Sequence, residues 1–174
     1  FHPFDGFWDL KHEKRGSVRG ALTIIAITIA SFFYQSIGRG YVFNPRGETS
    51  NILVQAAIIL VPFILFCIAN WCLTTLFDGE GSFKDIFIAA GYSLAPLPLF
   101  TVIATVLTNV LGINAQMIIT LVMAIGYLWV AMLLFFGTLV THDYQMKKNI
   151  IMIVCTLVAM VVIAFIIILF CQSW

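Results

Sequence analysis

Charge is scarce in this chain. Of 174 residues, nine are Lys or Arg and eight are Asp or Glu, so 10% are charged while 61% are hydrophobic. Soluble domains average about 25% charged and about 45–50% apolar. A chain this short leaves a large share of its surface uncovered on folding, so water is excluded as the main solvent, and the mean hydropathy of +1.04 points to lipid. The net charge is +1 and no basic run is long enough to track phosphates, which excludes nucleic acid as a partner. The four cysteines, Cys67, Cys72, Cys155 and Cys171, lie within or at the ends of apolar runs, and no two have the spacing of a metal or redox pair. They read as small buried hydrophobes. The sequence begins at Phe1 and not at Met, so a preceding N-terminal stretch is expected, and these residues do not decide whether it holds a signal peptide.

What is present is apolar length. Crossing the hydrocarbon core takes about 20 mostly apolar helical residues. Five stretches qualify, at approximately 21–37, 52–76, 86–110, 117–140 and 150–171. All the charged residues fall between or before them. A charge at a helix centre costs about 2.5–3.5 kcal/mol on insertion scales, against a gain of about 0.3–0.6 for each Leu, Ile, Phe or Val. The expectation is an all-α polytopic membrane protein: a five-helix transmembrane domain over 21–174, preceded by an interfacial segment over 1–20.

Orientation comes from the basic residues outside the spans. Lys11, Lys14, Arg15, Arg19, Lys84, Lys147 and Lys148 fall on one side, and only Arg39 and Arg46 on the other. The positive-inside rule places the N-terminus in the cytoplasm and, after an odd number of spans, the C-terminus outside. The longest loop, about 38–50, carries the turn signal Asn44-Pro45-Arg46-Gly47. No internal repeat is visible, and an odd span count argues against two matched inverted halves. Before the first span, Phe4, Phe7, Trp8 and Leu10 alternate with charged residues. Trp8 with Lys14 and Arg15 suits a collar at the headgroup level, or a docking surface for a cytoplasmic partner.

No constellation resembles an active site, and no cofactor is expected. His2, His12 and His142 are too scattered for a metal-ligand set, although His142 and Asp143 are adjacent. Ser17, Ser82 and Ser93 sit in no nucleophile context. Ion-coupled transport normally leaves intramembrane ionisable groups, whereas the polar residues within these spans are neutral: Gln35, Gln55, Asn70 and Asn109, with several Thr and Ser. Such groups serve as interhelical hydrogen bonds, each worth about 0.6 kcal/mol and up to about 2. If Asn70, Gln55 and Asn109 faced one cavity, they would favour transport of a small neutral solute or lipid.

One patch is denser in signals. Asp78-Gly79-Glu80-Gly81-Ser82-Phe83-Lys84-Asp85 leads into Ala89-Ala90-Gly91-Tyr92-Ser93-Leu94-Ala95-Pro96-Leu97-Pro98. Gly79 and Gly81 permit a tight backbone reversal. Ser82 is placed to cap the next helix, with Asp85 at the capping-box position. Pro96 and Pro98 lie mid-span, where each lacks an N–H and frees a carbonyl that needs a protein partner in lipid. Tyr92, Ser93 and neighbouring helices are the available partners, and the small residues Ala89, Gly91, Ser93 and Ala95 allow close helix approach. The broken helix is expected at the centre of the bundle, as a packing kink or as a hinge or recognition groove.

This patch resembles the YIP family, membrane proteins named for interaction with Ypt/Rab GTPases. The residues that carry the likeness are Gly79-Glu80-Gly81-Ser82-Phe83-Lys84 and Gly91-Tyr92-Ser93-Leu94-Ala95-Pro96, with Phe7-Trp8-Asp9-Leu10 and Lys14-Arg15-Gly16-Ser17 before the first span. The resemblance implies five spans, a cytoplasmic N-terminus and a role in membrane traffic or organisation. The compact length is similar to bacterial members, some of which look like companions of carbohydrate ABC importers. The expected function is a non-catalytic adaptor or accessory subunit in the plasma membrane, in contact with the bilayer and other integral membrane subunits. Trp8, Lys14, Arg15, Gly79, Gly81, Ser82, Tyr92, Pro96 and Pro98 are the candidate partner contacts.

Overall fold

The computed structural model of the chain describes residues 3–13, 16–41, 43, 51–74, 76–112 and 115–172. Among them are seven helices: α1 (Pro3–His12), α2 (Val18–Gly38), α3 (Ile52–Thr74), α4 (Phe83–Ser93), α5 (Pro96–Val110), α6 (Gln116–His142) and α7 (Met146–Gln172). Five units are long and apolar enough to span a membrane: α2, α3, α4 with α5, α6 and α7. The expected five-span, all-helical class holds. The turn signal at Asn44–Gly47 lies outside the described residues.

Three spans begin earlier than hydropathy alone suggests, because polar caps and charged first turns extend them. Ser17 caps α2 by accepting from the Gly20 N–H, so the helix starts at Val18. Ser82 starts α4 at Phe83, and α7 starts at Met146, which places Lys147 and Lys148 in its first turn. These charges, with Arg19, Lys84 and Asp85, are therefore helical, yet they stay within the terminal turns.

α4 is the hub. It packs against α2, α3, α6 and α1, whereas α7 leans chiefly on α3 and, less, on α6. The α4–α5 span is accordingly the most buried of the five and α7 the least. The core joins Ile25, Phe63, Cys67, Ile86 and Ala90, with the Phe63 and Phe87 rings edge to face at 5.2 Å. Gly91 is what lets α2 and α4 close together, since a β-carbon there would lie 2.7 Å from the Ala21 methyl. Large side chains such as Leu128, Val161 and Phe170 point outward, as lipid solvation requires. Cys67 is buried as expected, but Cys72 is exposed and Cys155 half-exposed. An apolar stretch in lipid has no need to bury all of its small residues.

The paired prolines divide one span into two helices, and the freed carbonyls are satisfied locally, not by neighbouring helices. Pro96 and Pro98 remove the N–H groups that Tyr92 and Leu94 carbonyls would accept from in an α-helix. Instead Ala95 N donates to Tyr92 O at 3.1 Å, and Leu97 N to Leu94 O at 3.0 Å. The backbone tightens to i→i−3 bonds, and Leu94 and Ala95 stay in the right-handed helical region. Ser93 hydroxyl donates to Ala89 O at 2.8 Å. The Tyr92 ring lies against Gly20 on α2.

Candidate functional site

The polar chemistry concentrates on the face that carries α1. Two spans end there in the same way. Asp78, after α3, and Asp143, after α6, both adopt left-handed conformations, with φ of 47° and 54°. Each puts the next residue in position to bond back: Gly79 N to Thr74 O and Tyr144 N to Leu139 O, both at 3.0 Å. This is the Schellman pattern, with aspartate where glycine is more usual. The reversal expected of Gly79 and Gly81 is thus made by Asp78. The glycines are needed for a different reason, which is closeness. A β-carbon on Gly79 would collide with Tyr144 Oη and lie 2.6 Å from His142 Nδ1; one on Gly81 would lie 2.7 Å from Thr141 Cγ2. The loop lies directly on the end of α6.

Ser82 then ends the loop as its spacing predicts. Its Oγ accepts from Asp85 N at 3.3 Å while Asp85 Oδ2 accepts from Ser82 N at 3.2 Å, which completes a capping box. Aspartate serves in place of the usual Glu because the Ser82 hydroxyl also donates to it at 2.5 Å.

Beneath the loop, His142 is almost fully buried at 1% exposure. Its Nε2 lies 2.8 Å from Asn70 Oδ1. The Asn70 Nδ2 donates to Met152 sulfur at 3.3 Å and to Thr156 Oγ1 at 3.4 Å. With the amide so oriented, Oδ1 accepts, and Nε2 of the neutral imidazole carries the hydrogen. One amide thereby joins α3, α6 and α7. The His142 and Tyr144 rings stack with centroids 5.1 Å apart, and Lys148 Nζ sits 4.8 Å over the Tyr144 ring. Burial, then the Asp78 carboxylate, pushes the Tyr144 hydroxyl above its ordinary value of 10, so it stays protonated at neutral pH. Among the described residues, His142 Nδ1, Tyr144 Oη and Asn149 Oδ1 are buried without a hydrogen-bond partner.

α1 lies across the same face. Phe7, 6% exposed, packs with Ala89 and Val140, and Gly137 makes room for its ring. Trp8 on the other side is 44% exposed. Its ring stacks on His12 with centroids 3.7 Å apart. Lys11 reaches Glu80 of the loop at 3.7 Å, an exposed pair worth little by itself.

Of the nine candidate partner contacts, Trp8, Gly79, Gly81 and Ser82 come together on this face. Lys14 and Arg15 lie outside the described residues. Tyr92 joins the seat of α1, packed against the Phe7, Ala89 and Val140 cluster, but Pro96 and Pro98 do not: Pro96 is thirteen residues beyond Phe83, about 20 Å deeper at about 1.5 Å per residue. His142, Tyr144, Met152 and Thr156 belong to the site without being marked by the sequence reading. Adjacent His142-Asp143 and the intramembrane Asn70 were the available signals, but their pairing spans 72 positions of sequence and leaves no local pattern.

At the opposite face, α2 and α5 are stitched together. Asn109 Nδ2 donates to Gly38 O at 2.7 Å and Gly40 N to Thr108 Oγ1 at 3.1 Å. Asn70 and Asn109 are thus interhelical ties. Gln55 instead lines a cavity of about 510 Å³ with Gln35, Arg39 and Gln116, so the three amides do not share one pathway. No curated protein and no solved structure matches the chain. The family model described as the Yip1 domain matches residues 1–169, and with five spans around a broken central helix, the chain belongs to the Yip1-domain family of membrane proteins.

Proposed function

We propose that this protein is a non-catalytic membrane adaptor of the YIP type, which presents α1 and the rim of the 76–82 loop to another integral membrane protein at the cytoplasmic face. The observation that carries the reading is the division of labour on α1. Phe7 is sunk into the bundle between α4 and α6 while Trp8, its neighbour, is left exposed. A helix seated by one aromatic and offering the next is a fixed platform, and exposed Trp is among the residues that most often anchor interfaces. The surrounding basic residues Lys84 and Lys147 are also exposed, which agrees with a cytoplasmic orientation by charge bias. Catalysis has less to draw on: His142, the deepest ionisable group of the face, is held by a neutral amide. The narrower association with a carbohydrate ABC importer draws no support from the fold or the family match, and the partner is identified only by class.

Native electrophoresis of gently solubilised membranes from the source organism tests the reading. The chain is expected to migrate in a discrete complex larger than itself. Trp8→Ala should dissociate that complex, while Leu128→Ala on the outward surface of α6 should leave it intact. Migration of the wild-type chain alone, or a complex indifferent to Trp8→Ala, would overturn it.

A further inference from the structure

α3 and α6 meet at one end through Asn70 and His142. At the other end they diverge, and the cavity of about 510 Å³ occupies the space between them and α2. Its size falls in the range of ligand sites, about 300–1,000 Å³. Arg39, Gln35, Gln55 and Gln116 form its polar wall, and among the described residues no carboxylate lines it. Gln35 is 9% exposed. Among the described residues, none of these four side chains has a hydrogen-bond or ion-pair partner. The Gln35 and Gln55 amides, one buried and one half-buried, are costly when unpaired beside hydrocarbon, and with the exposed Arg39 and Gln116 at the rim they call for a ligand that accepts several hydrogen bonds and balances one positive charge.

The other wall is apolar and deep. Phe32, Ile58 and Met123 line it, and it extends to Tyr127. Tyr127 lies eleven residues beyond Gln116 on α6, about 16 Å along the axis at about 1.5 Å per residue. Ile58 and Tyr127 are more than half exposed, so the cavity opens sideways to the bilayer. A water-soluble solute would rest there against hydrocarbon. Another transmembrane helix, its backbone groups already bonded internally, would leave the glutamines unsatisfied.

We propose that this cavity is a binding site for one anionic phospholipid. Arg39 and the glutamine amides hold the phosphate, and an acyl chain lies along Phe32, Ile58 and Met123. Arg pairs with phosphate oxygens through charge-assisted bonds, and glutamine N–H groups donate to the remaining oxygens. The site is separate from the adaptor face, since it lies at the other end of the bundle.

Native mass spectrometry of the full chain, released from nanodiscs of equimolar phosphatidylglycerol and phosphatidylcholine, tests the assignment. One phosphatidylglycerol should be retained with about tenfold preference, which corresponds to about 1.4 kcal/mol. Arg39→Gln should abolish the preference, and Met123→Trp should expel the lipid by filling the chain-binding wall. Lys147→Gln, at the opposite face, should change nothing. Free inorganic phosphate in excess should not displace the lipid. Equal retention of the two lipids by the wild type would overturn the proposal, as would displacement by phosphate alone or retention unaffected by Met123→Trp. Circular dichroism confirms that each variant is folded; if Arg39→Gln is not, Met123→Trp decides.

Discussion

At the end of the bundle that carries α1, Asn70 is fully buried and both ends of its amide are bonded, to His142 on one side and to Thr156 and Met152 on the other. At the opposite end, Gln35 and Gln55 face a cavity with no hydrogen bond among the described residues. The residue class is the same, and the difference lies in how the helices converge. Where α3, α6 and α7 meet, an amide becomes a structural tie. Where α3 and α6 part, it becomes part of a surface that awaits something else. A closed end and an open end in one small bundle suit a protein that fixes one face rigidly and leaves the other receptive.

The sharpest way to break the comparison is to thicken a glycine at each end. Gly79→Ala forces a β-carbon against His142 and Tyr144 and should cost about 1–3 kcal/mol through overpacking. Gly112→Ala, with nothing within 4 Å of the added carbon, should leave the thermal midpoint in detergent unchanged. Equal effects at the two positions would mean that the loop does not press on α6 as described.

Removing the amides themselves comes next. Asn70→Leu strands His142 Nε2–H and is expected to cost about 1–2 kcal/mol, more than the about 0.6 of an average intramembrane bond because a buried donor is left unpaired. Gln55→Leu loses no protein partner and should fall within about 0.5 kcal/mol of wild type. A double-mutant cycle between Asn70→Leu and His142→Leu should show a coupling of about 0.5–1.5 kcal/mol, and additivity would remove the tie. Urea or thermal unfolding monitored by circular dichroism provides the measurement.

The smallest effect is expected at the middle of the bundle. Pro98→Ala returns an N–H near a Leu94 carbonyl that Leu97 already serves, so stability should shift by less than about 1 kcal/mol. Complex formation should be unchanged, because Pro98 lies deep below the exposed Trp8. A loss of the complex on Pro98→Ala would return the broken helix to the role of recognition element.

Much of this architecture is legible from one-dimensional pattern. Span number, the central position of the broken helix and the Ser82–Asp85 capping box each depend on residues within a few turns of one another, so composition and spacing suffice. The role of the glycines is half legible. Glycine signals either a positive φ or a close approach, and only the neighbour across the gap distinguishes them; here Asp78 takes the positive φ and the glycines take the contact. Sequence proximity makes the candidate face too large, because Pro96 and Pro98 adjoin the loop along the chain while the helical rise carries them away from it.

Taken alone, the order of amino acids determined that this chain lives in lipid as five helices, because the cost of an ion in hydrocarbon confines every charged side chain to the spans' terminal turns or the segments outside them. Only the tertiary structure decided which neutral polar groups bond to each other and which are left to face a cavity. That choice depends on where helices far apart in sequence converge, and interhelical bonds of about 1 kcal/mol leave no periodic mark on the residues that make them.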